Sequence, residues 1–278
     1  MHELTGITYY KGGLYAPGTA MVQPALFVRQ LAKSLVASGV ELFEQSAVVT
    51  LERATSCQWT AKTQHGSVTA PKLILAVNGH AESFGHFDRQ LLHVFTYASM
   101  TRQLSQEEVA TLGGELRWGL TPADPLGTTV RRISGTGGDR IIIRNRATCD
   151  PSMTVNEKRL ANVARTHDRS FIDRFPMLKH VSMEYCWGGR LCLSRNNVPA
   201  FGEVDEGVFA ACCQNGLGVA KGQISGKLIA EMASDAPSAL LADMLSEAQP
   251  VKLPPQWMAA IGANAIMRWG EFRAGSEL

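Results

Sequence analysis

Residues 208–233 read VFAACCQNGLGVAKGQISGKLIAEMA, and they decide the fold. The apolar run 208–212 has the length and residue types of a buried strand. It feeds a turn holding Gly216 and Gly218, and the turn feeds an amphipathic helix. A strand-to-helix junction leaves backbone N–H groups unpaired beside the positive end of the helix dipole, so it attracts electron-rich atoms. Gly222 and Gly226 lie four residues apart on one helix face, which predicts close approach to a strand or a flat partner. The spacing is not G-x-G-x-x-G with a following acidic residue, so the turn is not itself a dinucleotide fingerprint. On this segment alone, a helix packed closely on a sheet accounts for the glycines as well as a binding turn does.

Working outward, the region 187–233 carries eight of the 26 glycines. Near the other end, 24–38 is predicted to be a helix. Leu26, Phe27, Leu31, Leu35 and Val36 share a face, Pro24 suits the first turn and Gly39 the stop. Four short β-rich runs follow at 40–43, 47–51, 58–63 and 73–77. The texture then changes, with strands expected at 93–101, 128–134 and 140–145 and a polar helix at 156–173. This predicts an antiparallel-sheet unit inserted into the first one.

Composition narrows the function classes. A chain of 278 residues makes about two domains. With 45% hydrophobic and 19% charged residues it is a folded globular chain. The 27 basic and 25 acidic residues leave a charge of +2, too little field to hold nucleic acid. There is no apolar run of the roughly 18 residues that a membrane span needs, and the opening MHELTGITYYKGG lacks the core of a signal peptide. A cytoplasmic protein is expected. The six cysteines form no C-x-x-C pair and lie at no metal-ligand spacing, so no metal is expected. The histidines show no Ser-His-Asp order, which argues against hydrolysis.

Several motifs occur in a fixed order: Gly12-Gly13-Leu14-Tyr15, Gln23-Pro24 and a helix, Ser46-Ala47-Val48, then Leu73-Ile74-Leu75-Ala76-Val77-Asn78-Gly79. Trp187-Gly188-Gly189, Pro199-Ala200-Phe201-Gly202, and Asn215-Gly216-Leu217-Gly218 with Gly226-Lys227-Leu228-Ile229-Ala230-Glu231 follow. Together they resemble the FAD-dependent D-amino-acid oxidase-like family, nearest its gamma-glutamylputrescine oxidase and glycine oxidase-like members. The resemblance implies a mixed α/β fold: an incomplete FAD-binding domain of the glutathione-reductase-like type, interleaved with an antiparallel-sheet substrate domain. The implied boundaries are 1–84 and 181–278 for the FAD-binding parts and 85–180 for the substrate domain. By the same resemblance the Val48 backbone faces adenine, and Ala76, Asn78 and Gly79 lie near the diphosphate and ribose. Gly189 also joins the cofactor site, and Gly216, Leu217, Gly218 and Val219 meet the flavin pyrimidine. Backbone donors there would stabilise the negative charge of reduced flavin. The implied reaction is oxidation of the C–N bond of an amino acid or alkylamine by hydride transfer to flavin N5.

Two departures bear on activity. The family's opening strand, G-x-G-x-x-G turn, helix and ribose-binding acid are absent from these residues, so the chain resembles the later two-thirds of such an enzyme. The alternative is therefore a truncated, catalytically silent fragment or a non-catalytic subunit that binds FAD only with a second polypeptide, or that self-associates. Leu217 stands where relatives often have His. Lys221 lies near a lysine that some relatives use for oxygen activation, but it reads better as a solvated first-turn residue. Cys192, in RLCLS, lies near a region where some relatives attach flavin, although non-covalent FAD is expected. Among Arg131, Arg132, Arg144 and Arg146, alternation directs only some inward. Arg132 is the choice for a substrate carboxylate, with Tyr97 lining the pocket and Tyr9, Tyr10 and Trp187 as further candidates.

Overall fold

The computed structural model describes residues 1–278. The chain begins with α1 (His2–Thr5), α2 (Pro24–Ala37), β1 (Thr50–Thr55), β2 (Gln58–Lys62), β3 (Ser67–Ala70) and β4 (Leu73–Leu75). After a 3-10 turn at Asn78–Phe84 come β5 (Leu92–Thr101), α3 (Gln106–Leu112), β6 (Trp118–Leu120), β7 (Thr129–Ile133), β8 (Arg140–Cys149) and α4 (Glu157–Arg174). The remainder is β9 (Met183–Leu193), β10 (Ala200–Asp205), β11 (Val208–Cys212), α5 (Gly218–Ala233), α6 (Ala239–Ser246) and α7 (Gln256–Ala274). No helix is long and apolar enough to cross a membrane.

Two compact units emerge, one from 22–93 and 191–256, the other from 1–21, 94–190 and 257–278. The expected boundaries at 84/85 and 180/181 differ from these. The first 21 residues and α7 belong with the antiparallel strands because polar side chains tie them there. Asn264 on α7 accepts from Cys149 N–H at 3.0 Å and donates to its carbonyl at 2.8 Å. Glu271 pairs with Arg146 at 2.7 Å, and Arg174 donates to Tyr10 Oη at 2.9 Å.

The first unit is layered. Its sheet has the order β10-β11-β4, with β11 antiparallel to β10 and parallel to β4 in the register Val208↔Leu73 to Ala210↔Leu75. Phe201 and Phe209 pack with Leu228, Ile229 and Leu241 of α5 and α6. Leu75, Val208 and Ala210 pack with Leu51 and Trp59 of the meander β1-β2-β3. Helix α2 forms where its caps predict. Val40 N–H reaches the Leu35 carbonyl and Gly39 N–H the Val36 carbonyl, both at 3.0 Å, with Gly39 left-handed at φ 93°. That is a Schellman stop, and it requires a residue tolerant of positive φ. Yet α2 buries none of its residues. The strand expected at 40–43 is absent, and the next one starts only at Thr50. Strand-forming residues without a ladder partner have no backbone hydrogen bonds to hold them extended, and Phe43 is 65% exposed.

In the second unit the sheet order is β6-β7-β8-β5-β9. Val130, Ile141 and Ile143 on one face pack with Phe171 and Phe175 of the α4 region. Asn156 starts α4 by accepting from Arg159 N–H at 2.8 Å. Ser105 and Glu108 form a reciprocal capping box on α3.

Candidate functional site: two turns at the ends of parallel strands

Because β4 and β11 are parallel neighbours, the segments that follow them emerge side by side. Ligands in α/β sheets gather at such carboxyl ends. Asn78 Oδ1 ties the two turns together by accepting from Cys213 N–H at 3.0 Å. The backbone here is unusual. Asn78, Cys213, Asn215 and Gly216 have φ of 52°, 58°, 50° and 81°. Left-handed backbone is uncommon outside glycine and asparagine, and a Cys there is strained.

Asn215 is the buttress. Its Oδ1 accepts from Ser194 N–H at 2.9 Å, while its Nδ2 donates to the carbonyls of Val198 at 3.0 Å and Cys213 at 3.1 Å. The turn then opens outward. Gly216, Leu217, Gly218 and Val219 are all exposed, and no side chain caps the start of α5. The first-turn N–H groups therefore face away from the protein, with the helix dipole behind them. Lys221 is half-buried in that first turn.

Gly79 is buried where a Cβ would come within 2.6 Å of His93 Nδ1. The His93 ring is fixed by Glu82 at 2.7 Å. Glycine at 79 is thus needed for packing, whereas Ala76 and Asn78 beside it are exposed. Val48 lies outside any strand and is also exposed. No strand comes close to Gly222 or Gly226, because an added Cβ on either meets no protein atom within 4 Å.

Cys192 and Cys213 are buried beneath these turns. The neighbouring Cys213 thiol and burial hold the Cys192 pKa above the usual thiol range. The Cys213 thiol donates to Asn215 Oδ1 at 3.9 Å.

The remaining expected residues lie in the second unit. Gly189 is on β9, half-buried, and Trp187 beside it is exposed. Tyr97 is buried with Val163 of α4, its hydroxyl 2.6 Å from Thr148 Oγ1. Arg132 is fully buried. Its Nη1 donates to the Gly113 carbonyl, while Nε and Nη2 meet no protein acceptor. Both side chains therefore lie under the helix-covered face of the sheet, since Arg132 alternates with Arg131 and shares the face of Val130. Tyr9 and Tyr10 pack edge to face at 5.2 Å, and Arg174 lies 4.5 Å over the Tyr9 ring.

The opposite face of the sheet carries Arg131 and Arg144. Arg131 pairs across the strands with Ile142, and Arg144 with Thr129. The Arg131 guanidinium lies over Gly119, where a Cβ would come within 2.9 Å of Nη1. Arg144 donates to Thr129 Oγ1 at 3.1 Å, and its pKa is lowered by burial and then by the charge of Arg131. Two like charges on one face, without a carboxylate between them, favour an anion. Arg146 is instead taken by Glu271. The choice among these arginines needed the strand register. Asn215 was foreshadowed only by its Asn-Gly dipeptide, a turn signal.

A family model described as FAD dependent oxidoreductase (DAO) matches residues 1–232. A probable oxidoreductase OrdL of Haemophilus influenzae is 28% identical over 232 residues, 81% of this chain and 50% of that protein. Gamma-glutamylputrescine oxidoreductase of Escherichia coli is 23% identical over 225 residues, 80% of this chain and 50% of that protein. The chain thus spans about half the length of these relatives. Among solved structures, glycine oxidase from Geobacillus kaustophilus is similar with TM-score 0.60 at 19% identity, covering 76% of this chain and 54% of that one. Iminodiacetate oxidase from Chelativorans is similar with TM-score 0.62 at 15% identity, covering 84% and 61%. The match over most of its length, on a fold shared with these oxidases, means that the chain belongs to the FAD-dependent oxidoreductase (DAO) family.

Proposed function

We propose that this chain carries cofactor- and substrate-binding parts of a flavoenzyme that oxidises the C–N bond of an amino acid or alkylamine. The observation that carries the proposal is the pair of strained turns after β4 and β11, joined by Asn78 and opening onto an uncapped helix start. Exposed N–H donors backed by a helix dipole suit the electron-rich edge of a flavin ring. FAD, when bound, supplies the hydride acceptor for C–N oxidation.

In this reading Gly216, Leu217, Gly218 and Val219 present backbone donors to the pyrimidine edge. Asn78, Gly79 and Ala76 lie along the diphosphate and ribose, the Val48 backbone borders the adenine, and Gly189 supplies a further contact. Attachment is non-covalent, in keeping with a Cys192 thiol that is buried. Arg131 and Arg144, rather than the buried Arg132 and Tyr97, hold a substrate carboxylate. The pair excludes a free cation nearby and so orients the substrate by its acid end.

A second reading rests on the uncovered apolar side chains of α2 and 40–49. In that reading the chain retains FAD only when another polypeptide covers them. One experiment separates the two: incubation of the purified, folded chain with FAD, removal of free cofactor, and a visible spectrum. A retained, protein-shifted flavin band that an amine bleaches supports the first reading. A folded chain without flavin refutes it for this polypeptide alone. In an active preparation, Arg144→Met is expected to raise KM for an amino acid roughly tenfold or more, the cost of a charged hydrogen bond, and to leave an alkylamine unaffected.

A further inference from the structure

Helix α7 turns its polar side inward and its apolar side outward. Asn264 bonds to both backbone groups of Cys149. Glu271, the one carboxylate of the helix, is buried against Arg146, Arg268 and the Ala147 N–H. An added Cβ at Gly270 would overlap Leu126, so this inner side lies directly on the rest of its unit. The apolar residues Trp257, Met258, Ile261, Ile266, Trp269 and Phe272 are left outside, each 46–77% exposed. With about 3.6 residues per turn, these six fall within about half of the helix circumference. The Trp269 and Phe272 rings stack on that face at 5.9 Å. Arg268 and Arg273 stand near the two rims of the same sector, and both are exposed. Because Glu271 is buried, the outer face carries basic groups and no acid of the helix.

We infer that α7 is a membrane-surface helix that docks this chain on anionic phospholipid. A contiguous apolar face of this kind marks an interaction site. A second copy of the chain suits it poorly. Pairing two such faces sets Arg268 and Arg273 against their counterparts, with no exposed acid on either helix to receive them. An anionic lipid surface answers both features. Hydrocarbon takes up the aliphatic side chains, the Trp and Phe rings suit the headgroup boundary, and lipid phosphates accept hydrogen bonds from the rim arginines. The helix is not long and apolar enough to cross a membrane, so it lies in the plane of the surface with its polar side still bonded to β8.

The test needs no flavin, so its outcome is independent of the proposed function. The purified full chain is sedimented with vesicles of equal parts phosphatidylcholine and phosphatidylglycerol, and with vesicles of phosphatidylcholine alone. The expected result is co-sedimentation with the mixed vesicles and a shift of indole emission to shorter wavelength. Binding to phosphatidylcholine alone is expected to be roughly tenfold weaker or more, as two arginines near a charged surface imply. Trp269→Ser combined with Phe272→Ser should weaken binding to the mixed vesicles roughly tenfold or more, the order set by two large side chains left in water. Phe27→Ser combined with Leu31→Ser, on the exposed apolar face of α2, should leave it unchanged. Circular dichroism confirms that each variant is folded. No co-sedimentation, equal binding to the two compositions, or a loss caused by the α2 pair and not by the α7 pair overturns the inference. So does a lipid-free dimer, seen by light scattering, that the α7 pair dissociates.

Discussion

At the residue scale, burial and partners set ionisation, and two side chains of the second unit translate this into acid sensitivity. His167 is fully buried. Its Nδ1 accepts from Ser99 Oγ at 2.7 Å, which leaves Nε2–H to donate to the Asn145 carbonyl at 3.3 Å. Burial holds its pKa down to about 4 against the Asn145 carbonyl, and Arg146 lowers it further. The unfolded histidine binds a proton below about 6.5, so stability is lost as pH falls from there toward 4. Glu108 acts lower. Arg102 on its carboxylate, with the Ser105 N–H and His180, holds its pKa down to about 2. Stability from that cluster is complete above the ordinary glutamate range of about 4.3 and is lost as pH falls toward 2. Thermal melts by circular dichroism are expected to show both losses. Glu108→Gln should lower the midpoint at neutral pH and flatten only the lower window. Gly79→Ala drives a methyl into the His93 ring and is expected to cost about 1–3 kcal/mol, as overpacking does, measurable by urea unfolding.

At the element scale, caps were legible and contacts were not. Pro24 and Gly39 bracket α2 as their residue types require, and Gly39→Ala is expected to cost about 1 kcal/mol because it forces a Cβ into positive φ. The glycines of α5 run the other way. With open space around Gly222 and Gly226, alanine at either is expected to raise the melting midpoint of the cofactor-free chain by the helix-propensity difference, about 0.8–1 kcal/mol. If such a stabilised variant no longer retains FAD, that helix face is where the cofactor or a covering segment packs. Helix α7 fell within the FAD-binding part expected at 181–278 and belongs instead with the antiparallel strands. Its polar residues Asn264 and Glu271 face β8 while Trp269 and Phe272 stack outward. A period-based reading assigns the apolar stripe to the core and so inverts this helix.

At the scale of the whole molecule, the first unit has a layered core on both faces of β11 and an uncovered apolar surface on α2 and 40–49. Few buried contacts and unpaired backbone mean low local stability. Amide hydrogens in 40–49 are expected to exchange fastest and those of β11 slowest. Protection of 40–49 comparable to β11 in hydrogen-exchange mass spectrometry would contradict this.

The sequence by itself determined the family, the helix of residues 24–38, the strand-turn-helix at 208–233 and the antiparallel unit in the middle of the chain. Each depends on local periodicity, turn chemistry or motif order, all of which are written along the chain. Only the tertiary structure decided which arginines share a sheet face, because a shift of one position reverses every side chain. It also decided that 40–43 forms no strand, since a strand exists only with a partner. And it brought Asn78 onto Cys213, because the parallel pairing of β4 with β11 juxtaposes turns that are far apart in sequence.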